Sequence, residues 1–403
     1  MEAVGLKEGI ALVKKYNKML PKEREMLQKQ RFFAALFHAR EHSELYKQLY
    51  SGLGVNFFMR DVPPLDRDYA LAHRNLWKCD ETVDMEIDAA INTVRSFSFD
   101  RDYYSFLIKG SKTVVITADE DERPSFVSSW EKTTTRLSVF LPTDELVNRL
   151  NELKPALLWS HPSTLEKLLN EKQSGRLTIK PILIMSGGEH LAEELRASLI
   201  EAFDCTVQKT YVSKELGVIA SECSCGGLHV NDDWVLLEPV DGNNKPVAFG
   251  EPCEHVLATS MYKTLFPVIR MNLPDKIKFL NTPCPCGNPS PRIVVLAGKH
   301  ESISLPCDGG AVEIHTDKFN DAFKGISGIQ SYQLIFYGNC NISVRLKVQD
   351  EFMKSLLFLQ AEQSLRKFLR DNGVIAGAIT LDEESPLLDE ANGKFNNVID
   401  NRE

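Results

Sequence analysis

Glycine is missing from a long internal stretch of this 403-residue chain: none occurs between Gly54 and Gly110. That excludes a glycine-rich phosphate cradle there, because such a loop needs bare backbone amides in conformations that favour glycine. No apolar run reaches about 18 residues, so no membrane-spanning helix is expected. The N-terminus, MEAVGLKEGIALVKKYNKML, is amphipathic and has neither a continuous apolar stretch nor a small-residue cleavage site, so a cytoplasmic protein is expected. There is no excess of positive charge; the net charge of −9 argues against nucleic acid or anionic membrane as a general partner. Nine cysteines, an odd number scattered over a long chain, do not form a disulfide framework. Repeats and low-complexity tracts are also missing.

What is present is an ordinary globular composition, 43% apolar and 26% charged, over a length that suits two or three domains. Residues 1–78 read as a helical lead-in, including RFFAALFHAREHSELYKQLYSGLG with its glycine stop signals. From TVVITAD (113–119), strands and helices alternate. LSVFLP, ALLWS, PILIMS and TVQKTYV read as strands; DELVNRLNELK, PSTLEKLLNEKQ and GEHLAEELRASLIEAF read as helices. This predicts a mostly parallel sheet over 105–225. Short strands with turns and no helices predict an antiparallel β-subdomain over 226–297. Residues 299–403 predict a small α+β domain of β-α-β-β-α-β order. The fold class is therefore α/β, with a large domain over 1–298 and a small mobile one over 299–403.

Several segments carry chemistry. Tyr211-Val-Ser213-Lys-Glu215-Leu-Gly is expected to follow a strand and open a helix. The carboxyl end of a parallel strand is where ligands sit in open α/β sheets. A tyrosine ring can stack on a purine or an aryl acid, and a glutamate can hold Mg²⁺. Ser186-Gly187-Gly188-Glu189 ends the preceding strand, and its glycines permit close backbone approach to a ligand. In Phe266-Pro-Val-Ile-Arg270-Met-Asn-Leu-Pro-Asp275, an aspartate suits two ribose hydroxyls, and an arginine can neutralise phosphate charge. His161 and His190 lie at strand ends and are candidates for an acid pocket or for ordinary structural histidines. Cys223-Ser-Cys225-Gly and Cys284-Pro-Cys286-Gly, with His229, supply five candidate ligands for a tetrahedral zinc site. Residue types alone permit either four cysteines or three with the histidine.

These segments together resemble the phenylacetate–CoA ligase branch of the adenylate-forming (acyl-activating) enzymes, best over 137–300, fairly over 30–80 and again at the last dozen residues. The resemblance implies that Tyr211, Ser213 and Glu215 stand for the Tyr-Gly-x-Thr-Glu motif that binds adenylate and metal. Ser186, Gly187, Gly188 and Glu189 stand for an adenine- and substrate-lining loop. Arg270 and Asp275 support nucleotide and ribose, although Pro274 replaces a usual glycine. Gly298-Lys299-His-Glu301 is similar to the hinge Gly-Arg-x-Asp, with Lys299 in the arginine position. Gly393-Lys394 is similar to the terminal Gly-Lys motif, whose lysine steadies the carboxylate and α-phosphate during adenylation. The zinc ligands implied are Cys223, His229, Cys284 and Cys286, in a structural role.

One family feature has no counterpart. The Ser/Thr/Gly-rich ATP loop is expected between residues 85 and 100, where this chain reads DMEIDAAINTVRSFSFDRDYY with only Thr93, Ser96 and Ser98 as serine or threonine hydroxyls. Gly110 sits before a strand, in a turn rather than a phosphate loop. Losing even one oxyanion-type donor costs ~3–4 kcal/mol, so slow turnover or a binding-only relative is the alternative reading. The favoured expectation is an acid–thiol ligase using ATP, with AMP as product, Mg²⁺ and structural Zn²⁺. Its partners would be a small aryl or acyl carboxylic acid and CoA or a carrier thiol, with a homodimer as the candidate assembly.

Overall fold

The computed structural model describes residues 2–54, 56–80, 112–118, 134–297, 302–307, 309–390 and 393–402. The window expected to hold the ATP loop lies outside these residues. So do Gly110 and the hinge segment 298–301 with Lys299. The chain divides into two units, Met1–Leu296 and Ala297–Glu403.

The first unit opens with helices α1 (Glu2–Asn17), α2 (Pro21–His42) and α3 (Glu44–Leu49), followed by two short helices, α4 (Arg67–Ala72) and α5 (Arg74–Trp77). Phe32, Leu36 and Ala39 recur at helical spacing on α2 and are fully buried, as an inward apolar stripe requires. With Tyr46, Tyr50 and Trp77 they join a core shared with Trp234, Val268, Ile269 and Met271. Tyr16 at the end of α1 donates to Asp232 Oδ2 at 2.9 Å, and Arg31 donates to the Asp233 carbonyl at 2.8 Å. The helical lead-in is thereby pinned to a segment about 200 residues further on.

The main sheet has nine strands in the order β11-β12-β7-β6-β5-β4-β3-β1-β2. Strands β1 (Thr113–Thr117), β2 (Thr134–Ser138), β3 (Leu157–Ser160), β4 (Leu183–Gly187) and β5 (Thr206–Ser213) run parallel. Helices α6 (Thr143–Leu153), α7 (Pro162–Gln173) and α8 (Glu193–Phe203) connect them. Each helix boundary has a local cause. Asp144 and Glu145 open α6, and Glu193 and Glu194 open α8, complementing the positive helix N-terminus. Both helices stop at a residue in the left-handed region, Lys154 at φ 48° and Asp204 at φ 50°.

The expected helix after Tyr211 is not formed. Residues 206–222 make a hairpin in which β5 pairs antiparallel with β6 (Gly217–Glu222), with a bulge between Tyr211 and Val212. Two causes are visible. Gly217 takes φ +78°, and the Leu216 amide donates to Ser213 Oγ at 3.1 Å, closing the turn. Every residue of β6 is buried, which a surface helix would not allow.

The antiparallel region also differs in its partition. Strands β7 (Leu228–Val230), β11 (Lys276–Leu280) and β12 (Arg292–Ala297) extend the main sheet beyond β6. Only β8 (Val235–Val240), β9 (His255–Ser260) and β10 (Met271–Leu273) form a separate three-stranded sheet.

The second unit contains a hairpin of β13 (Ser302–Cys307) and β14 (Gly310–His315), a short helix α9 (Asn320–Phe323) and a long helix α10 (Lys354–Asp371). Its four-stranded sheet has the order β17-β16-β15-β18, from β15 (Ile329–Tyr337), β16 (Asn341–Val348), β17 (Ile379–Asp382) and β18 (Val398–Asp400). Leu357, Ala361, Leu365 and Leu369 on α10 share a core with Leu334, Phe336, Val344 and Leu346. Strands β13 and β18 add to the expected order; each pairs with a sequence-distant or newly turned segment rather than announcing itself by alternation.

Candidate active site

The carboxyl ends of β4 and β5 lie side by side, with Gly187 opposite Thr210. Thr210 Oγ1 donates to the Ser186 carbonyl at 3.0 Å. A Cβ on Gly187 would stand 2.6 Å from Thr210 Oγ1 and 2.9 Å from the Thr210 carbonyl oxygen. Only glycine lets the two strand ends approach so closely. Gly188 follows at φ +84°. Glu189 turns back to α7, accepting from the Ser163 amide at 2.9 Å and from its hydroxyl at 3.0 Å. It therefore caps a helix N-terminus. His161 is buried and its Nδ1 lies 2.9 Å from the Gly187 carbonyl oxygen, so it braces the loop. His190 is exposed.

Tyr211 reaches across to the antiparallel region. Its hydroxyl donates to Asp275 Oδ2 at 2.7 Å. The stacking ring and the ribose acceptor expected from sequence thus meet directly. Ser213 spends its hydroxyl on the Leu216 amide and shapes the turn that presents Glu215.

Glu215 is buried, its side chain only 3% exposed. Arg67 donates to Oε1 through Nε at 3.0 Å and lies 2.8 Å away through its terminal nitrogen. Oε2 is buried with no hydrogen-bond partner. An orphaned carboxylate oxygen is costly unless something coordinates it. A hard oxygen donor of this kind fits Mg²⁺, which is held by one or two carboxylates together with substrate phosphates.

Nothing local in the sequence marks Arg67, whose partner lies 148 positions away. Its placement follows from tertiary stitching. Asp66 caps α4 by accepting from the Tyr69 amide at 2.7 Å. The Leu65 amide donates to the Arg270 carbonyl at 3.0 Å, and the Asn272 amide donates to Leu65 at 2.9 Å.

Arg270 has a different employment from the one expected. Its side chain is 4% exposed and its Nε donates to Glu238 Oε2 at 3.0 Å. A terminal nitrogen donates to the carbonyls of Arg60 and Val62. Its backbone sits at φ 46°, a strained region for a residue with a Cβ, held in part by the Arg270 amide donating to Thr259 Oγ1 at 2.9 Å. The residue clasps the 60–62 segment to the small antiparallel sheet. Burial raises the Glu238 carboxyl above its usual range, while Arg270 opposes the rise.

Cys223, His229, Cys284 and Cys286 converge, with one ligand atom from each lying within 4.8 Å of all the others. Cys223 Sγ and Cys284 Sγ are 3.6 Å apart, and Cys286 Sγ is 3.3 Å from His229 Nε2. His229 Nδ1 is 2.9 Å from the Ser290 carbonyl oxygen, which fixes the tautomer and presents Nε2 to the cluster. Cys225 is exposed and is not a member of this group. The two Cys-x-Cys-Gly segments make the same turn. Gly226 donates to the Cys223 carbonyl at 2.8 Å and Gly287 to the Cys284 carbonyl at 3.1 Å, both glycines at positive φ. Burial opposes ionisation of the Cys284 thiol, but hydrogen bonds from the Cys286 backbone, His229 and the neighbouring thiols hold it down to about 6. Burial, with hydrogen bonds to the Cys284 and Cys223 sulfurs and the charge of Cys223, pushes Cys286 up to about 12. Sulfurs packed this closely compete for protons, a conflict that a divalent cation would resolve.

Lys394 belongs to the second unit. It follows Gly393 at φ 67°, and its carbonyl accepts from the Asp389 amide at 2.9 Å.

Comparison with solved structures finds similarity to 2-hydroxyisobutyryl-CoA ligase in the postadenylation state with R3-HIB-AMP. Identity is 16%, covering 96% of this chain and 92% of that one, with a TM-score of 0.68. The same ligase with 2-HIB-AMP and CoA in the thioesterification state matches at 16% identity over 97% and 92%, with a TM-score of 0.58. McyG A-PCP complexed with phenylalanyl-adenylate matches at 8% identity over 77% and 60%, with a TM-score of 0.51. Identities this low establish a common fold. No protein-family model matches the chain, and no curated protein matches it.

Proposed function

We propose that this chain, which has the fold of the adenylate-forming CoA ligases, activates a carboxylic acid with ATP and transfers the acyl group to a thiol, CoA being the expected acceptor. The observation that carries the reading is the Tyr211 hydroxyl on Asp275 at 2.7 Å. It joins a ring able to stack on a base to a carboxylate able to accept from a ribose diol, from positions 64 residues apart. The buried, partnerless Oε2 of Glu215 adds a place for Mg²⁺ in the turn that follows β5.

In this reading Tyr211 packs on the nucleotide base or aryl acid, and Asp275 orients the ribose. Glu215, held by Arg67, would hold Mg²⁺, which supplies charge neutralisation to the phosphates when bound. The Gly187–Gly188 backbone lets the acyl-adenylate lie close to the strand ends. A carboxylate oxygen of the acid attacks the α-phosphorus and pyrophosphate leaves. The Lys394 ammonium balances the negative charge that develops on the carboxylate and α-phosphate oxygens, the kind of preorganised stabilisation that dominates such steps. In the second half-reaction the thiol sulfur attacks the acyl carbon, losing its proton, and AMP leaves. Cys223, His229, Cys284 and Cys286 would hold Zn²⁺ with all four positions filled, which suits a structural role. The binding-only alternative draws no support from the described residues.

The test is acid-dependent exchange of labelled pyrophosphate into ATP across a panel of aryl and acyl acids. Exchange is expected with at least one acid, and Lys394→Ala is expected to abolish it. AMP binding without exchange by any acid sinks the proposal.

A further inference from the structure

The outer face of the second unit's sheet carries a polar row that is buried at one end. Alternation along β15 sends Tyr332, Leu334 and Phe336 into the core and Gln333 to the opposite face. There Gln333 stands opposite Arg345, which in turn stands opposite Asp382. A glutamine on a sheet's outer face is ordinarily wet, yet Gln333 is 1% exposed. Its cover is the terminal segment that carries Lys394. Gln333 Nε2 donates to the Leu387 carbonyl at 3.0 Å and to the Asn396 carbonyl at 2.9 Å. Its Oε1 accepts from the Leu387 amide at 3.3 Å and lies 3.5 Å from the Arg345 terminal nitrogen. Both ends of the Lys394 segment are thus held by one side chain. Arg345 Nε donates to Asp382 Oδ2 at 2.9 Å, which fixes the arginine and so the glutamine rotamer. Asn397 adds a second hold, donating to the Tyr332 hydroxyl at 3.0 Å and to the Thr316 carbonyl at 3.3 Å.

We infer that Gln333 is a positioning residue for Lys394: it ties Leu387 to Asn396 and so fixes the loop from which the adenylation lysine projects. The inference rests on the function proposed above for that lysine. No other side chain among the described residues bonds both ends of this segment. An amide is suited to the task, because it offers two donors and an acceptor to two backbone carbonyls and one backbone amide at once. Leucine offers none of these. Glutamate keeps the acceptor and the Arg345 contact but loses both donors.

The test uses the full chain with Gln333→Leu and Gln333→Glu, the second guarding against misfolding of the first. Hydrogen exchange of the Leu387, Asp389 and Gly393 amides reads the loop without reference to activity. Pyrophosphate exchange reads adenylation, and thioester formation from supplied acyl-adenylate and CoA reads the half-reaction in which Lys394 takes no part. Both variants are expected to exchange faster in the loop and to lose about 100-fold in pyrophosphate exchange, the scale of an ångström-sized misplacement, while keeping thioester formation within about threefold. A merely structural glutamine would lower both half-reactions together, and that outcome overturns the inference. So does an opened loop with normal pyrophosphate exchange, or a loop whose protection is unchanged. If the wild-type chain exchanges with no acid, the proposed function fails instead, and loop protection alone then decides whether Gln333 is the clamp.

Discussion

Replacing Arg270 with methionine separates a structural clasp from a nucleotide contact. Methionine keeps a Cβ, so the positive φ of 46° is retained and only the guanidinium is lost. Three bonds go with it, to Glu238 Oε2 and to the carbonyls of Arg60 and Val62. With Arg270 at 4% and Glu238 at 21% side-chain exposure, the pair is mostly buried, and removing one partner of such a pair costs ~3–5 kcal/mol. The freed carbonyls add about 1 kcal/mol apiece where water does not reach them. A loss of roughly 3–7 kcal/mol is expected, a large part of a typical stability of about 5–15 kcal/mol. Urea unfolding followed by tryptophan fluorescence measures it cleanly, since all four tryptophans precede residue 297 and report the first unit alone. Burial already raises the Glu238 carboxyl, and Arg270 restrains it. Without that cation the carboxyl rises further, so the native state takes up a proton more readily than the unfolded chain. The variant's deficit is therefore full above the raised value and narrows as pH falls through it. Arg270→Gly relieves the backbone strain and is expected to recover about 1 kcal/mol of the loss. Normal stability in Arg270→Met together with weakened ATP binding would refute the clasp.

Arg67→Met is expected to weaken Mn²⁺ binding in the presence of ATP by about tenfold, by releasing the Glu215 carboxylate from its 2.8–3.0 Å contacts; electron paramagnetic resonance titration measures it, and unchanged affinity argues against a metal role for Glu215. One zinc per chain is expected by elemental analysis, lost in His229→Ala and in Cys286→Ser and retained in Cys225→Ser. Retention in His229→Ala would exclude the histidine from the site. Because the ligands must be deprotonated, zinc is expected to leave as the pH is lowered towards 5. Gly187→Ala forces a Cβ to 2.9 Å from a backbone oxygen and is expected to destabilise by ~1–3 kcal/mol, read as a lowered urea midpoint; a neutral result would mean the strand ends can part freely.

Sequence determined the parts of this protein whose physics is local. The strand–helix alternation over 113–213 is written in β-branched runs, acidic first turns and helix stops, so the parallel half of the sheet was legible. The Cys-x-Cys-Gly pairs were legible because a knuckle turn needs glycine at a fixed offset from its sulfurs. The motifs drew attention to Tyr211 and Asp275, which meet in the structure. Tertiary structure decided the rest, wherever several conformations satisfy the same local pattern. Tyr211–Gly217 turns into a hairpin because β6 can bury all of its residues against both neighbours, a gain no local window contains. His229 joins the cluster in place of Cys225 because β7 pairs with β12 and brings Ser290 to its ring. Arg270 became a clasp, Arg67 a partner of Glu215 and Gln333 a clamp through contacts spanning tens to more than 200 positions. Such contacts arise from chain packing and leave no periodicity or spacing in the sequence.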